Sequence, residues 1–352
     1  MISWLLAFFI AVLVALIATR LVMASGISDR PDEARKLHKT ITPTSGGLGI
    51  IAGVFAGVSF LIWQEPNTLD PRLIGCLSVS LVGGILGLLD DIFVLGPKRK
   101  LAVMLICVTA FAVYGAHIEA LILSPMIVVE LGPIVGVIGT IFWLLVLVNT
   151  VNFMDGANGM AMGCSAIGLV SLCGMVILQG GGSPSSLHLA GICWIGSAAC
   201  AGFLCWNLRG HVFAGDCGAL FVGLLCGTLG VVVVVSGINP LSVATCFLPM
   251  LVDVILTVLV RIKRRENVLT AHAQHAYQIA IRHWPEHRAG HWAVSSRYWV
   301  YSGFCGISAI VAQQKGELAP VGIFFTMLAF LIWMYVKLHL EVRAKAKAEL
   351  PH

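Results

Sequence analysis

Four aspartates stand at the ends of hydrophobic runs in a chain with only 17 acidic residues: Asp90 and Asp91 side by side, then Asp155, then Asp216. A carboxylate at bilayer depth costs about 2.5–3.5 kcal/mol on insertion scales, so such residues face a partner, a cavity or an ion. Two adjacent carboxylates repel unless a cation or a proton intervenes. At a helix end they diverge by about 100°, so one can face a metal or a nucleophile while its neighbour orients it. The plainer alternative is a pair of solvated helix-end acids.

Asp155 closes a longer pattern, Asn149-Thr-Val-Asn152-Phe-Met-Asp155-Gly156-Ala-Asn158-Gly159. Asn149, Asn152 and Asp155 recur every three residues and share one face of a helix end. Gly156 and Gly159 then let the backbone turn and approach a ligand closely. A turn alone needs only Asp-Gly or Asn-Gly. It does not need two amides inside an apolar run, where an unpaired amide is costly. Asp216, in Phe213-Ala-Gly215-Asp216-Cys-Gly218, is either an N-cap or a hard oxygen ligand for magnesium.

Further along, His272 and His275 lie three apart in Ala271-His272-Ala-Gln-His275-Ala-Tyr277-Gln278, able to share a face and reach a diphosphate. No cysteine or third histidine completes a zinc site around them. His283, His287 and His291, at four-residue intervals, read as a solvated amphipathic face. Asp253, inside an apolar run, reads as structural, with an arginine as partner. Lys39 precedes a Pro/Gly turn at Thr42-Pro43-Thr44-Ser-Gly46-Gly47 and suits a phosphate or a nucleotide base, or is simply a topology lysine.

The elements that must position these residues are membrane spans. The chain is 58% hydrophobic and 11% charged, with a mean hydropathy of +0.94; soluble domains carry about 25% charged residues. Apolar runs long enough to cross a bilayer as helices fall at 2–24, 47–63, 73–89, 101–117, 133–150, 159–178, 187–206, 217–236, 240–260, 297–312 and 318–338. The expected fold is therefore an all-α polytopic bundle of about 11 transmembrane helices. Residues 118–132 are also apolar but are broken by Pro125, Glu130 and Pro133. The first run lacks a basic start and a clear cleavage site and reads as a retained helix. The 11 cysteines are scattered singly and suggest neither a disulfide frame nor a zinc site.

Eleven spans put the termini on opposite sides. Counting every second loop with the C-terminal tail collects 20 of the 22 basic residues, leaving only Arg72 and Lys315 opposite. By the positive-inside rule the N-terminus is outside and the C-terminus cytoplasmic, and all four aspartates fall on the cytoplasmic side. The expectation is one membrane domain, 1–352, with loops 25–46, 90–100, 149–158, 207–216 and 261–297 forming the site.

Taken together and in order, these motifs resemble the polyprenyl-phosphate N-acetylhexosamine-1-phosphate transferases: the Pro-Thr-x-Gly-Gly loop, the Asp-Asp pair, Asn-x-x-Asn-x-x-Asp-Gly, Gly-Asp-x-Gly and the His-x-x-His loop. The Asp-Gly-x-Asn-Gly and His-Ala-Tyr-Gln forms look most like the O-antigen starter branch. The resemblance implies a bacterial inner-membrane enzyme that moves a sugar 1-phosphate from a UDP-sugar to undecaprenyl phosphate and releases UMP. It implies magnesium, or manganese in its place, held by Asp216 and one of the Asp90–Asp91 pair. It puts the pair on the lipid phosphate, His272, His275 and Lys39 on phosphates, and Asn152, Asp155 and Asn158 on the nucleotide side, with Asn149 a further substrate-binding residue. Membrane lipid is an expected partner and nucleic acid is not; a homodimer is an option.

The chain departs from the family pattern at Asn158, where an aspartate implicated in uracil recognition is frequent. It departs again at Ala214-Gly215-Asp216-Cys217-Gly218-Ala219 and at Ala273. These bear on sugar and base selectivity more than on the reaction. The rival from another class, a secondary transporter for an anionic solute, predicts charges near the midplane and an internal repeat. Here the acids cluster at helix ends and no repeat is found.

Overall fold

A computed structural model of the chain describes residues 2–24, 28–29, 42–64, 69–124, 126–180, 183–267, 273–282, 287–316 and 318–348. The protein is all-α and polytopic. Helix α1 (Ile2–Met23) is followed by a two-residue ladder, β1 (Ser28–Asp29) with β2 (Thr42–Pro43), then α2 (Gly47–Gln64) and α3 (Pro71–Phe93). Helix α4 (Pro97–Ala110) runs into a π-helical turn, Phe111–Gly115, and a hairpin of β3 (Ala120–Ser124) and β4 (Ile127–Glu130). The remaining helices are α5 (Gly132–Met154), α6 (Met160–Leu178), α7 (Pro184–Asn207), α8 (Gly215–Val235), α9 (Pro240–Lys263), the short α10 (Ala276–Arg282), α11 (His287–Lys315) and α12 (Ala319–Ala348).

Among the described residues, nine helices are long and apolar enough to cross a membrane: α1, α2, α3, α5 to α9, and α12. The two other expected spans are helical but built differently. Helix α4 has only 14 residues before the π turn. Helix α11 starts at His287, upstream of the expected 297, and its His291 and Ser295 bond the turn at Asn158. The interrupted apolar stretch 118–132 pairs as the β3–β4 hairpin, and α5 begins at Gly132 with proline in its first turn.

Helix α8 is the centre of the bundle, with 94% of its apolar window buried. A helix apolar on every side belongs there. It packs along α3, and also against α5, α2 and α6. Elsewhere small residues set the spacing: Ala7, Ala11, Ala15 and Thr19, one turn apart, form the buried stripe of α1 against α2 and α7. A side chain on Gly49 would meet Thr19 and the Ala15 carbonyl. In lipid, such close approach supplies the packing energy that hydrophobic burial supplies in water.

Helix α3 runs past its expected end at 89, so Asp90 and Asp91 lie on its last turn rather than in a loop. Val94 caps it in the left-handed region, and its amide bonds the Asp90 carbonyl at 2.9 Å. Gly96, at φ 82°, and Pro97 then reverse the chain into α4 and bring Lys100 back towards the pair.

At the opposite end of α3, Asp70 is the N-cap. It accepts from the Arg72 amide at 2.8 Å, the Arg72 guanidinium at 2.8 Å and the Ser185 hydroxyl of α7 at 2.8 Å. The Arg72 bonds hold its carboxyl at about 2, below the ordinary 3.8. A depressed folded value means the stabilisation is complete above about pH 4 and is lost as pH falls through about 2. Solvent screens the ion pair, so the cap bond carries most of the effect. We expect Asp70→Ala to lower stability by about 1–2 kcal/mol near neutral pH. The thermal midpoint of purified protein in detergent checks this. The two proteins should converge as pH approaches 2, and equal midpoints at pH 7 would refute the tie.

Candidate active site

The first turn of α8 is gripped by Asp91. Its Oδ1 accepts from the Asp216 amide at 2.9 Å, and its Oδ2 accepts from the Cys217 amide at 3.3 Å and the Ser45 hydroxyl at 3.0 Å. The Asp91 carboxylate thus serves amides that the start of a helix leaves unsatisfied, from a neighbouring helix. Gly215, at φ 69°, has no room for a side chain between Asp91 and Thr44. The 43–47 segment is stitched to the same place: the Phe213 amide bonds the Pro43 carbonyl, and the Gly46 and Gly47 amides bond the carbonyls of Phe213 and Ala214, at 2.9–3.0 Å.

This grip aims the Asp216 side chain away from its own helix, which has no side-chain N-cap bond. The N-cap reading of Asp216 is thereby excluded. Asp216 Oδ2 pairs with Lys100 Nζ, and its Oδ1 accepts from Asn152 Nδ2 at 3.0 Å. Lys100 Nζ also reaches Asp90 Oδ2 at 2.8 Å, while Asp90 Oδ1 accepts from the Leu95 amide at 2.7 Å. One lysine bridges two carboxylates from α3 and α8, and the expected divergence of the Asp90–Asp91 pair is realised. Asp90 faces the cation, and Asp91 faces the backbone.

Asp155 caps the C-terminus of α5 beside this group. Burial, then the negative charges of Asp216 and Asp91, push its carboxyl well above the usual carboxylate range. Of the two asparagines upstream, Asn152 reaches Asp216. Asn149 donates instead to its own helix, to the Leu145 carbonyl at 2.7 Å. Among the described residues no three His, Cys, Asp or Glu side chains form a group that could hold a metal ion unaided.

The turn after Asp155 rests on α11. The Asn158 amide donates to His291 Nδ1 at 3.3 Å, Ser295 donates to the Asn158 carbonyl at 2.8 Å, and Trp299 donates to the Gly159 carbonyl at 2.8 Å. The expectation that His291 lies on a solvated face is wrong: it is 6% exposed and packed under the turn. Asn158 itself has a buried side-chain oxygen with no partner among the described residues. Asn207, at the end of α7, accepts from the Gly159 amide at 2.6 Å.

The loop after α9 docks from the other side. His275, 2% exposed, stacks near Phe153 and Tyr277, with ring centroids 5.8 and 6.0 Å away. The Tyr277 hydroxyl donates to the Phe153 carbonyl at 2.9 Å, over Gly156, where a side chain would collide with it. Lys39 and His272 lie outside the described residues, as does His283. The structure therefore gathers Asp90, Asp91, Asp155, Asp216, Asn152, Asn158 and His275 around one end of the bundle. Reading the sequence missed Lys100, Ser45, Tyr277 and His291. Lys100 carried a signal, as the last member of the basic run Lys98-Arg99-Lys100 behind a Gly-Pro turn.

The segments that carry these side chains have relatives among known proteins. Residues 73–237 match the family described as glycosyl transferase family 4. Over 344 residues the chain is 26% identical to the probable undecaprenyl-phosphate N-acetylglucosaminyl 1-phosphate transferase of Bacillus subtilis, covering 94% of this chain and 91% of that protein. Over these stretches the chain is similar to polyprenyl-phosphate N-acetylglucosamine-1-phosphate transferases. A putative UDP-N-acetylglucosamine–dolichyl-phosphate N-acetylglucosaminephosphotransferase of Sulfolobus acidocaldarius is 28% identical over 245 residues, 66% of this chain and 70% of that one. A phospho-N-acetylmuramoyl-pentapeptide-transferase of Gloeothece citriformis is 30% identical over 223 residues, 57% and 58% of the two chains. The family match spans the carboxylates, Lys100 and the Asn149–Asn158 run. The histidine loop and α11 lie beyond it.

Proposed function

We propose that this protein transfers an N-acetylhexosamine 1-phosphate from a UDP-sugar to undecaprenyl phosphate, releasing UMP and starting a lipid-linked glycan such as O-antigen. The observation that carries the reading is the convergence of Asp90 and Asp216, from two helices, on Lys100, with Asn152 of a third helix bonded to Asp216. The charge count supports the side of the membrane: 20 of 22 basic residues fall in loops on the aspartate side. On this reading the site faces the cytoplasm of a bacterial inner-membrane protein, with the N-terminus outside.

The donor set suits magnesium. Magnesium is typically held by one or two carboxylates together with substrate phosphates, so a site offering two carboxylates is of the expected kind. Asp216 and Asp90 are hard oxygen donors that already share one cation, the Lys100 ammonium. A bound magnesium ion would neutralise the diphosphate and stabilise the charge that develops on phosphoryl transfer.

The chain's own residues do the rest. The polyprenyl phosphate oxygen attacks the sugar-linked phosphorus, the bond from that phosphorus to the bridging oxygen breaks, and UMP leaves with the electron pair. A phosphate with a second pKa of about 6 hardly needs a strong base, so Asp90 orients the lipid phosphate more than it deprotonates it. Asp91 keeps α8 in place. Lys100 offers its charge to the diphosphate. The unpartnered Asn158 oxygen accepts an N–H, and its amide nitrogen donates, which fits the edge of uracil. His275, beside the Asp155 turn, would serve the phosphates.

Incubating purified protein with magnesium, undecaprenyl phosphate and a panel of UDP-N-acetylglucosamine, -quinovosamine and -fucosamine tests the reading by UMP release. We expect UMP from at least one sugar, only with lipid present. No UMP from any sugar, with intact protein, would sink it.

A further inference from the structure

The charged group left unexplained by the site is Asp253. It sits in the middle of α9, 2% exposed, where an ionised carboxylate is costly and an apolar residue would pack as well. The expected arginine partner is not what it faces: Arg261 on the same helix pairs with Glu266 at 3.0 Å. Asp253 instead accepts from the Ala276 and Tyr277 amides at 2.9 and 3.1 Å, and from the Tyr298 hydroxyl at 2.7 Å. Thr257 lies 3.3 Å away and His275 Nδ1 3.4 Å away.

These partners have a common consequence. Ala276 and Tyr277 are the first residues of α10, so Asp253 caps that helix from another one. His275, just before it, has Nδ1 at ion-pair distance, 3.4 Å, from the same carboxylate, and the capped amides of Ala276 and Tyr277 fix where its backbone lies. On its far side the loop is pinned by the Tyr277 hydroxyl to the carbonyl of Phe153, two residues before Asp155.

We infer that Asp253 is a positioning residue: it holds the start of α10, and through it His275, in place beside the Asp155 turn without touching the reacting atoms itself. The inference rests on the transfer reading above. A cavity of about 230 Å³ borders Asp253, lined by Tyr298, Tyr301, Leu331 and Tyr335 among others, so one added methylene has room. Asp253→Glu is therefore the conservative rescue.

The test uses the full chain in detergent and has two readouts. Hydrogen exchange of the 274–282 peptide needs no substrate. In Asp253→Asn it should speed at least about tenfold, with peptides from α9 and α11 unchanged. In the UMP assay the same variant should lose about 10–100-fold in kcat with KM for the UDP-sugar shifted less than about threefold. Asp253→Glu should recover most of that loss. In a His275→Ala background, Asp253→Asn should cost nothing further.

Unchanged exchange in the 274–282 peptide, or losses that multiply in the double variant, would overturn the inference. A general rise in exchange across α9 and α11 would mean a merely structural role and would overturn it too. If Asp253→Asn does not accumulate, Tyr298→Phe, which removes one bond to the carboxylate, should give a smaller change in the same direction. If the wild type releases no UMP from any sugar, the transfer reading fails, while the exchange result still decides whether Asp253 holds the loop.

Discussion

Asp216→Asn should lower UMP release at least about 10³-fold while leaving the amount of folded protein unchanged. Asparagine has the same shape as aspartate. Its oxygen can still accept from Asn152, and the backbone amide at 216 still donates to Asp91, so the first turn of α8 stays where it is. What disappears is one negative charge. Lys100 then has Asp90 alone as its partner across the site, and a divalent cation has one carboxylate fewer. Size-exclusion elution and the thermal midpoint in detergent check the fold, and UMP release checks the chemistry. A well-folded variant that keeps more than about a tenth of wild-type turnover would remove Asp216 from the metal role.

The same contacts separate Asp90 from Asp91, which the sequence leaves equivalent. Asp91 spends both oxygens on two backbone amides and a serine hydroxyl. Asp90 keeps one oxygen on Lys100, a cation that a substrate phosphate can share. Asp90 is therefore the member suited to a substrate phosphate, and Asp91 the member that fixes the distance between α3 and α8.

The aspartates were legible in the sequence because ionised groups in apolar runs need a reason, and the loop charges placed them on one side. Asn152 was legible for the same reason, as an amide at helical spacing from Asp155. Lys100 was not, because linear distance from Asp90 does not show that Gly96 and Pro97 turn the chain back on itself. His291 misled because a four-residue histidine rhythm looks the same on a solvated helix and on one packed under a turn. Asp253 misled because nearby arginines were visible, whereas donors to it come from residues 276, 277 and 298, brought in by tertiary packing. Two of the expected spans, α4 and α11, are helical but fall outside the simple length and hydropathy rule, because of a π turn in one and polar residues in the other.

The second large effect is expected at a residue with no side chain. Gly87 lies one turn before Asp91 on α3, against the first turn of α8. A methyl group there would overlap the Asp216 carbonyl and the Cys217 amide, main-chain atoms that cannot rotate away. Gly84, one turn earlier, would meet side-chain atoms of Ile51 and Phe221, which can give way. Gly87→Ala must therefore push α3 and α8 apart, at a cost of about 1–3 kcal/mol from overpacking. The displacement falls on the bonds from Asp91 to the Asp216 and Cys217 amides, now 2.9 and 3.3 Å. A shift of about 1 Å in a catalytic arrangement can cost about 10²-fold in rate. We expect Gly87→Ala to lose about 10²-fold in kcat and several degrees in thermal midpoint, and Gly84→Ala to stay within about threefold of wild type. Equal activities in the two variants would mean that the close approach of α3 and α8 is not what holds Asp216 against Lys100.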